Sequence, residues 1–238
     1  MKRLEAKFLL LTSLLTILIG ASTGCRSNRN SFSEAQTQAA QAATKPADAL
    51  ARLKAGNERF VMGRSVARDL AAQRLATAAG QYPFAVVLSC LDSRTSTELI
   101  FDQGIGDVFN ARVAGNVLND DILGSMEFAC QASGAKLIAV VGHSKCGAVK
   151  GACTGVELGH LTGLLDKIQP AVAAVPVGTV GDKAAPQRVD AVAKENVRLV
   201  LKQIRERSPI LAELIRDGKV GLVGGLHDLD SGRVTFFD

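Results

Sequence analysis

Phe84-Ala85-Val86-Val87-Leu88-Ser89-Cys90-Leu91-Asp92-Ser93-Arg94 opens as an apolar run and stops at a cysteine. A second run of the same kind, Leu137-Ile138-Ala139-Val140-Val141, stops at Gly142-His143-Ser144-Lys145-Cys146-Gly147. Short unbroken apolar runs bounded by turn residues fit strands buried on both faces, as in parallel sheets covered by helices. The sequence therefore predicts an α/β fold with a central, mainly parallel β-sheet flanked by helices. Ligands of such sheets bind beyond the carboxyl ends of the strands, so these two endings can bring Cys90 to His143 and Cys146 despite their separation in sequence. Two sulfurs and one imidazole are a donor set that zinc accepts in tetrahedral geometry, and three protein ligands leave a fourth position for water or substrate. Cys146 would also open a helix, whose N-terminus favours thiolate.

The C-x-D-S-R motif at Cys90 and the G-H-x-x-C-G-A motif at Gly142, in this order and at this separation, resemble a bacterial β-class carbonic anhydrase. The similarity runs from about Ala47, through A-L-A-R-L-K-A-G-N-E-R-F, to Gly224-Gly225-Leu226-His227-Asp228. The resemblance implies a lyase that reversibly hydrates carbon dioxide to bicarbonate and a proton by a zinc-bound hydroxide, with one zinc ion per subunit held by Cys90, His143 and Cys146. Zinc lowers the pKa of bound water to about 7. It further implies that Arg94 holds Asp92 off the metal and turns it toward the nucleophile. Released from Arg94, Asp92 would itself close the fourth position. Gln81 would hydrogen-bond substrate across a dimer interface, while Phe109, Ala114 and Gly147 would line the substrate pocket. A homodimer or a dimer of dimers is the implied assembly, with residues 47–62 as a helix packing on the partner.

Two departures stand out against the resemblance. Phe128 occupies a position where many relatives place tyrosine, so one hydrogen bond near the substrate is lost. Arg112 falls where some relatives bind an inhibitory bicarbonate, but the tryptophan that completes that site is replaced by Val87 in a chain without tryptophan. Two other readings of the same zinc centre stay open on sequence. One replaces carbon dioxide by carbonyl sulfide or carbon disulfide; the other is a non-catalytic zinc protein permanently closed by Asp92.

At 238 residues and 47% hydrophobic content the chain is long enough for one α/β domain and too apolar for a disordered one. Its net charge of +5 implies no nucleic-acid partner, and removing a leader through Gly24 takes away Lys2, Arg3, Lys7 and Glu5, lowering it further. The basic start followed by an apolar run over residues 8–20 has the length of an export signal rather than of a membrane span. Ala21-Ser22-Thr23-Gly24-Cys25 resembles a lipoprotein cleavage box in which Cys25 becomes the lipidated first residue. The expected organisation is thus a signal peptide over 1–24, a lipid-anchor cysteine and flexible spacer over 25–46, and the enzyme domain over 47–238. The expected location is the periplasm, tethered to membrane by that anchor alone; Arg26 in place of an aspartate retention signal points to the outer membrane.

Helical spacing predicts further helices over residues 95–101, 122–132, 148–153, 161–168 and 189–207, with Met126, Phe128 and Ala129 on one apolar side, and another short helix starting at Pro209. Strands are expected over 108–113 and 220–226, and a loop between residues 168 and 186. Cys130 and Cys153 read as buried free thiols. His160 reads as a surface residue, and His227 receives no metal role.

Overall fold

A computed structural model describes residues 34–177 and 182–238. The expected leader and Cys25 lie outside the described residues. In chain order the elements are α1 Gln38–Ala43, α2 Pro46–Val61, α3 Leu70–Thr77, β1 Ala85–Ser89, α4 Thr97–Ile100 and β2 Val108–Arg112. There follow α5 Asp120–Glu127, running into a π turn over Phe128–Ala132, then β3 Leu137–His143, α6 Gly147–Thr154, α7 Gly159–Asp166 and α8 Gln169–Ala174. The chain closes with α9 Pro186–Arg207, α10 Pro209–Arg216, β4 Gly221–His227 and β5 Val234–Phe237. Among the described residues no helix is long and apolar enough to cross a membrane.

The five strands form one sheet in the order β2-β1-β3-β4-β5, parallel except for β5. Every residue of β1 and β3 is buried, as the two apolar runs require of central strands. Side chains alternate between faces along a strand. Accordingly Val86, Leu88, Ile138 and Val140 join Met126, Val200, Ile204 and Leu211 beneath α5, α9 and α10. Ala85, Val87, Ala139 and Val141 join Ala49, Leu53, Ile100 and Phe101 beneath α2 and α4. Both faces are thus covered, and the α/β expectation holds.

Helix α9 reaches the sheet closely because Gly142 offers no side chain: a Cβ there would come within 2.9 Å of Val197 Cγ2. Proline at its first turn and Arg205 and Arg207 in its last suit the two ends of the helix.

Three expectations need correction. The segment taken as a flexible spacer contains α1, and Gln41 is buried there, its Nε2 donating to the carbonyls of Pro83 at 2.7 Å and Ser133 at 2.8 Å. Helix α2 buries Ala49 and Leu53 in the core of its own chain. The expected loop after residue 168 begins with α8, which Pro170 helps to start. Phe128 is 57% exposed while Met126 and Ala129 are buried. At about 100° per residue Phe128 stands about 200° round from Met126, so a regular turn already points it away from that buried side; the π turn, in which the Ser133 amide reaches back five residues to the Phe128 carbonyl, begins only there.

Candidate metal centre

β1 and β3 are parallel neighbours in register, Ser89 beside Val141, so their carboxyl ends lie together. Cys90 leaves the end of β1, His143 is the last residue of β3, and Cys146 is the N-cap of α6. Their donor atoms all lie within 4.8 Å of one another, and all three residues are buried. They sit over a small apolar core of Val117, Val149, Ala152 and Ile168 that keeps bulk water from the sulfurs.

Each donor is aimed by a hydrogen bond. His143 Nδ1 lies 2.9 Å from the Ser144 carbonyl, an acceptor, so Nδ1 carries the proton and Nε2 presents its lone pair. Nε2 is buried and has no hydrogen-bond partner among the described residues. The Gly115 amide donates to Cys90 Sγ at 3.3 Å. The neighbouring Cys146 sulfur lowers the pKa of Cys90 against the opposing effect of burial, while Cys90 and burial push Cys146 up. A buried thiolate and an orphaned imidazole nitrogen side by side are what a zinc ion would offset, so the residues fit that metal.

Asp92 and Arg94 flank the cluster as the sequence predicts. Arg94 Nε donates to Asp92 Oδ1 at 2.9 Å, Nη2 donates to Oδ2 at 2.8 Å, and the Arg94 amide donates to Oδ1 at 3.0 Å. This grip holds the Asp92 carboxyl well below the usual carboxylate range. Asp92 Oδ2 is 4.0 Å from His143 Nε2, close to the ligands yet committed to the arginine.

Of the expected pocket residues, Ala114 and Gly147 adjoin the cluster, Ala114 preceding the Gly115 amide and Gly147 following Cys146. Nothing in the described chain crowds Gly147, since a Cβ there would meet no atom within 4 Å. Gln81 and Phe109 are not brought to the cluster. Gln81 precedes β1, whereas Cys90 follows it, and five strand steps from Ala85 to Cys90 span about 16 Å. Phe109 pairs in register with Val86 and packs edge-on against Phe128, ring centres 6.1 Å apart, in an open cleft with Ile122 and Ser125.

Three residues at the site, Thr95, Asp190 and Asn196, drew no role from the sequence, and Arg112 figures there only for an inhibitory bicarbonate site. Arg112 Nε donates to the Cys90 carbonyl at 3.0 Å and its Nη2 to the Asp92 carbonyl, while Thr95 Oγ1 donates to both carbonyls at 3.0 and 2.9 Å. Together they clasp the loop that carries Cys90 and Asp92. Asp190 accepts the Lys145 amide at 2.8 Å, holding a non-glycine residue at φ 57° inside the His143–Cys146 loop. Asn196 bonds to Gly115 from α9. An arginine at a strand end and an asparagine inside an apolar helical stripe were the available signals. His227 stands beside His143 in register, buried with no partner among the described residues for either ring nitrogen, and burial lowers its pKa. Cys130 and Cys153 are buried and free, and burial pushes Cys130 up to about 12.

The family model described as carbonic anhydrase matches residues 85–234. Carbonic anhydrase 2 of Mycobacterium tuberculosis is 37% identical over 201 residues, covering 82% of this chain and 94% of that protein. A carbonic anhydrase of Mycolicibacterium smegmatis is 34% identical, covering 80% and 93%. Among solved structures, a β-carbonic anhydrase of Aspergillus fumigatus superposes with a TM-score of 0.63 at 25% identity, covering 81% of this chain and 90% of that one. One of two tetrameric β-carbonic anhydrases from Sordaria macrospora gives 0.60 at 25%, covering 67% and 83%. A match that takes in both strand endings and every residue of the cluster, on a fold shared with these structures, leads to one conclusion: the chain belongs to the β-class carbonic anhydrase family.

Proposed function

We infer that this protein reversibly hydrates carbon dioxide to bicarbonate and a proton at the centre formed by Cys90, His143 and Cys146. The observation that carries the reading is the orphaned His143 Nε2 beside two buried sulfurs, with a carboxylate held just off that cluster by an arginine. Zinc bound there would supply Lewis acidity, lowering the pKa of water to about 7 and so making a nucleophile available near neutral pH. Cys90 and Cys146 would hold the ion through sulfur and His143 through Nε2. Asp92, kept ionised and fixed in rotamer by Arg94, accepts a hydrogen bond from the nucleophile and orients it toward carbon dioxide. Gly147 leaves open space for the substrate, and Ala114 adds apolar wall. A permanently closed structural site is disfavoured by the two-point grip of Arg94 on Asp92.

Gln81 and Phe109 contribute to the pocket of a partner subunit in this reading, which explains why they lie away from the cluster of their own chain. The exposed Phe128 and the half-buried edge strand β2 support a homodimer, and the tetrameric relative supports pairing of dimers. The basic, then apolar, N-terminus and the box ending at Cys25 support export to the periplasm and a lipid anchor, with the outer membrane as destination.

Stopped-flow hydration of carbon dioxide by the zinc-loaded, reduced protein across pH 6 to 9 tests the reaction. Turnover that rises with pH and disappears on chelation is expected. Cys146→Ser should lose both zinc and turnover, and zinc retention at full stoichiometry by that variant would refute the ligand set.

A further inference from the structure

Along the buried stripe of α9 a single polar side chain, Asn196, stands among Val192, Ala193, Val197 and Val200. It is fully buried, its Nδ2 donates to the Gly115 carbonyl at 2.8 Å, and its Oδ1 has no partner among the described residues. Leucine, of similar shape, would avoid that orphaned oxygen, which costs about 1–3 kcal/mol. Packing alone therefore does not call for an amide here.

Gly115 explains it. The residue sits at φ +64°, and a Cβ on it would come within 2.7 Å of Ile168 Cδ1. Glycine fits this left-handed, crowded position but is also the residue whose backbone turns most freely. Its carbonyl is held by Asn196 and its amide donates to Cys90 Sγ at 3.3 Å, so the two bonds flank one α-carbon. We propose that Asn196 is a positioning residue for the metal centre: by fixing the Gly115 carbonyl it aims the Gly115 amide at the Cys90 sulfur, and thereby sets how strongly that sulfur donates to a metal ion. The inference rests on Cys90 being a metal ligand. Outer partners of this kind orient first ligands, and losing one typically costs 10- to 100-fold in metal affinity or activity.

Cobalt(II) in place of zinc in the full-length protein gives a thiolate-to-cobalt charge-transfer band, whose energy falls as the sulfur becomes the stronger donor. In Asn196→Leu, and in Asn196→Ser as a second variant, the band should move to longer wavelength, and zinc affinity measured by chelator competition should fall about tenfold. Val200→Ala, a core truncation on the same helix, should lower the melting temperature and leave both readings unchanged. In the unaltered protein loaded with cadmium-113, the Gly115 amide proton should show scalar coupling to cadmium through Cys90 sulfur, and the Asn196 side-chain amide should be protected from exchange. An unshifted band with unchanged affinity in a folded Asn196 variant overturns the proposal. So does absence of the cadmium coupling or of the protection, which decides the matter on the unaltered protein if neither variant folds. A wild-type protein that takes up no cobalt would instead refute the metal centre itself.

Discussion

Asp92 and Asp102 both hold arginine, and the two ion pairs do opposite work. Asp92 is gripped by a neighbour two residues away, Arg94, whose side chain is more than half exposed, and the pair stands beside the metal ligands. Asp102 is gripped by Arg59, with Nε 2.5 Å from Oδ2, and by Arg68, and it also accepts the Val66 amide at 3.2 Å. Its side chain is only 2% exposed, and the partners come from the end of α2 and the connection to α3. A local, solvated pair gives a carboxylate direction at little cost or gain in stability. A dry pair between remote segments ties the fold together, and removing one member strands the others.

The largest effect that would test this contrast is on stability. Asp102→Ala is expected to cost about 3–5 kcal/mol in urea unfolding while turnover per folded, zinc-loaded molecule stays at the wild-type level. Loss of turnover without loss of stability would reverse the roles given to the two pairs. The same carboxylate also predicts a pH dependence. Burial pushes the Asp102 carboxyl up, but the hydrogen bonds from Arg59 and Arg68 more than offset it, so its folded pKa lies below the ordinary value. The unfolded chain then binds the proton more readily, and the stabilisation is present above about pH 4 and fades as pH falls through the folded value. Wild type and Asp102→Asn should accordingly converge in stability on acidification from pH 6 toward pH 3; a gap that widens instead would break the assignment.

The next effects are on turnover. Asp92→Ala should keep zinc and melting temperature while kcat/KM falls about 10- to 100-fold. Arg94→Ala should fall further, because the freed carboxylate, already 4.0 Å from His143 Nε2, competes for the open position. Combining the two should return activity to the level of Asp92→Ala alone, a non-additivity that two independent losses would not show.

How much of this was legible beforehand follows the range of the interactions. β1 and β3 were legible because both faces of a central strand are dry and the run of apolar residues shows it. The metal cluster was legible because strand ends converge in a parallel sheet whatever the intervening chain does. α9 announced itself by its periodic stripe, but the one asparagine in that stripe acts on Gly115, 81 residues away, and a helix pattern carries no record of such a contact. α1 was hidden for the same reason: its alanine- and glutamine-rich composition looks like a spacer, and its docking depends on Gln41 reaching Pro83 and Ser133. Phe128 was misplaced because it follows the buried Met126 by two residues, a spacing that puts the two side chains on opposite sides of a helix. Asp102 drew no notice at all, since nothing near it in sequence reveals that Arg59 and Arg68 converge on it.

The smallest effect is the sharpest on the nature of the two pairs. Lysine keeps the charge of arginine but replaces a planar fork of parallel donors by one compact ammonium. At Asp92 the fork fixes both carboxylate oxygens, so Arg94→Lys should leave Asp92 ionised yet less well aimed, and kcat/KM should drop about two- to fivefold with stability unchanged. At Asp102 the Arg68 fork reaches the carboxylate with one nitrogen and the backbone carbonyl with the other, so the single ammonium of Arg68→Lys gives up one of these two bonds. That substitution should lower the urea midpoint and leave kcat/KM alone. Equal losses of turnover in the two lysine variants would mean that the arginines differ in burial only, and that orientation by Arg94 contributes nothing to the reaction.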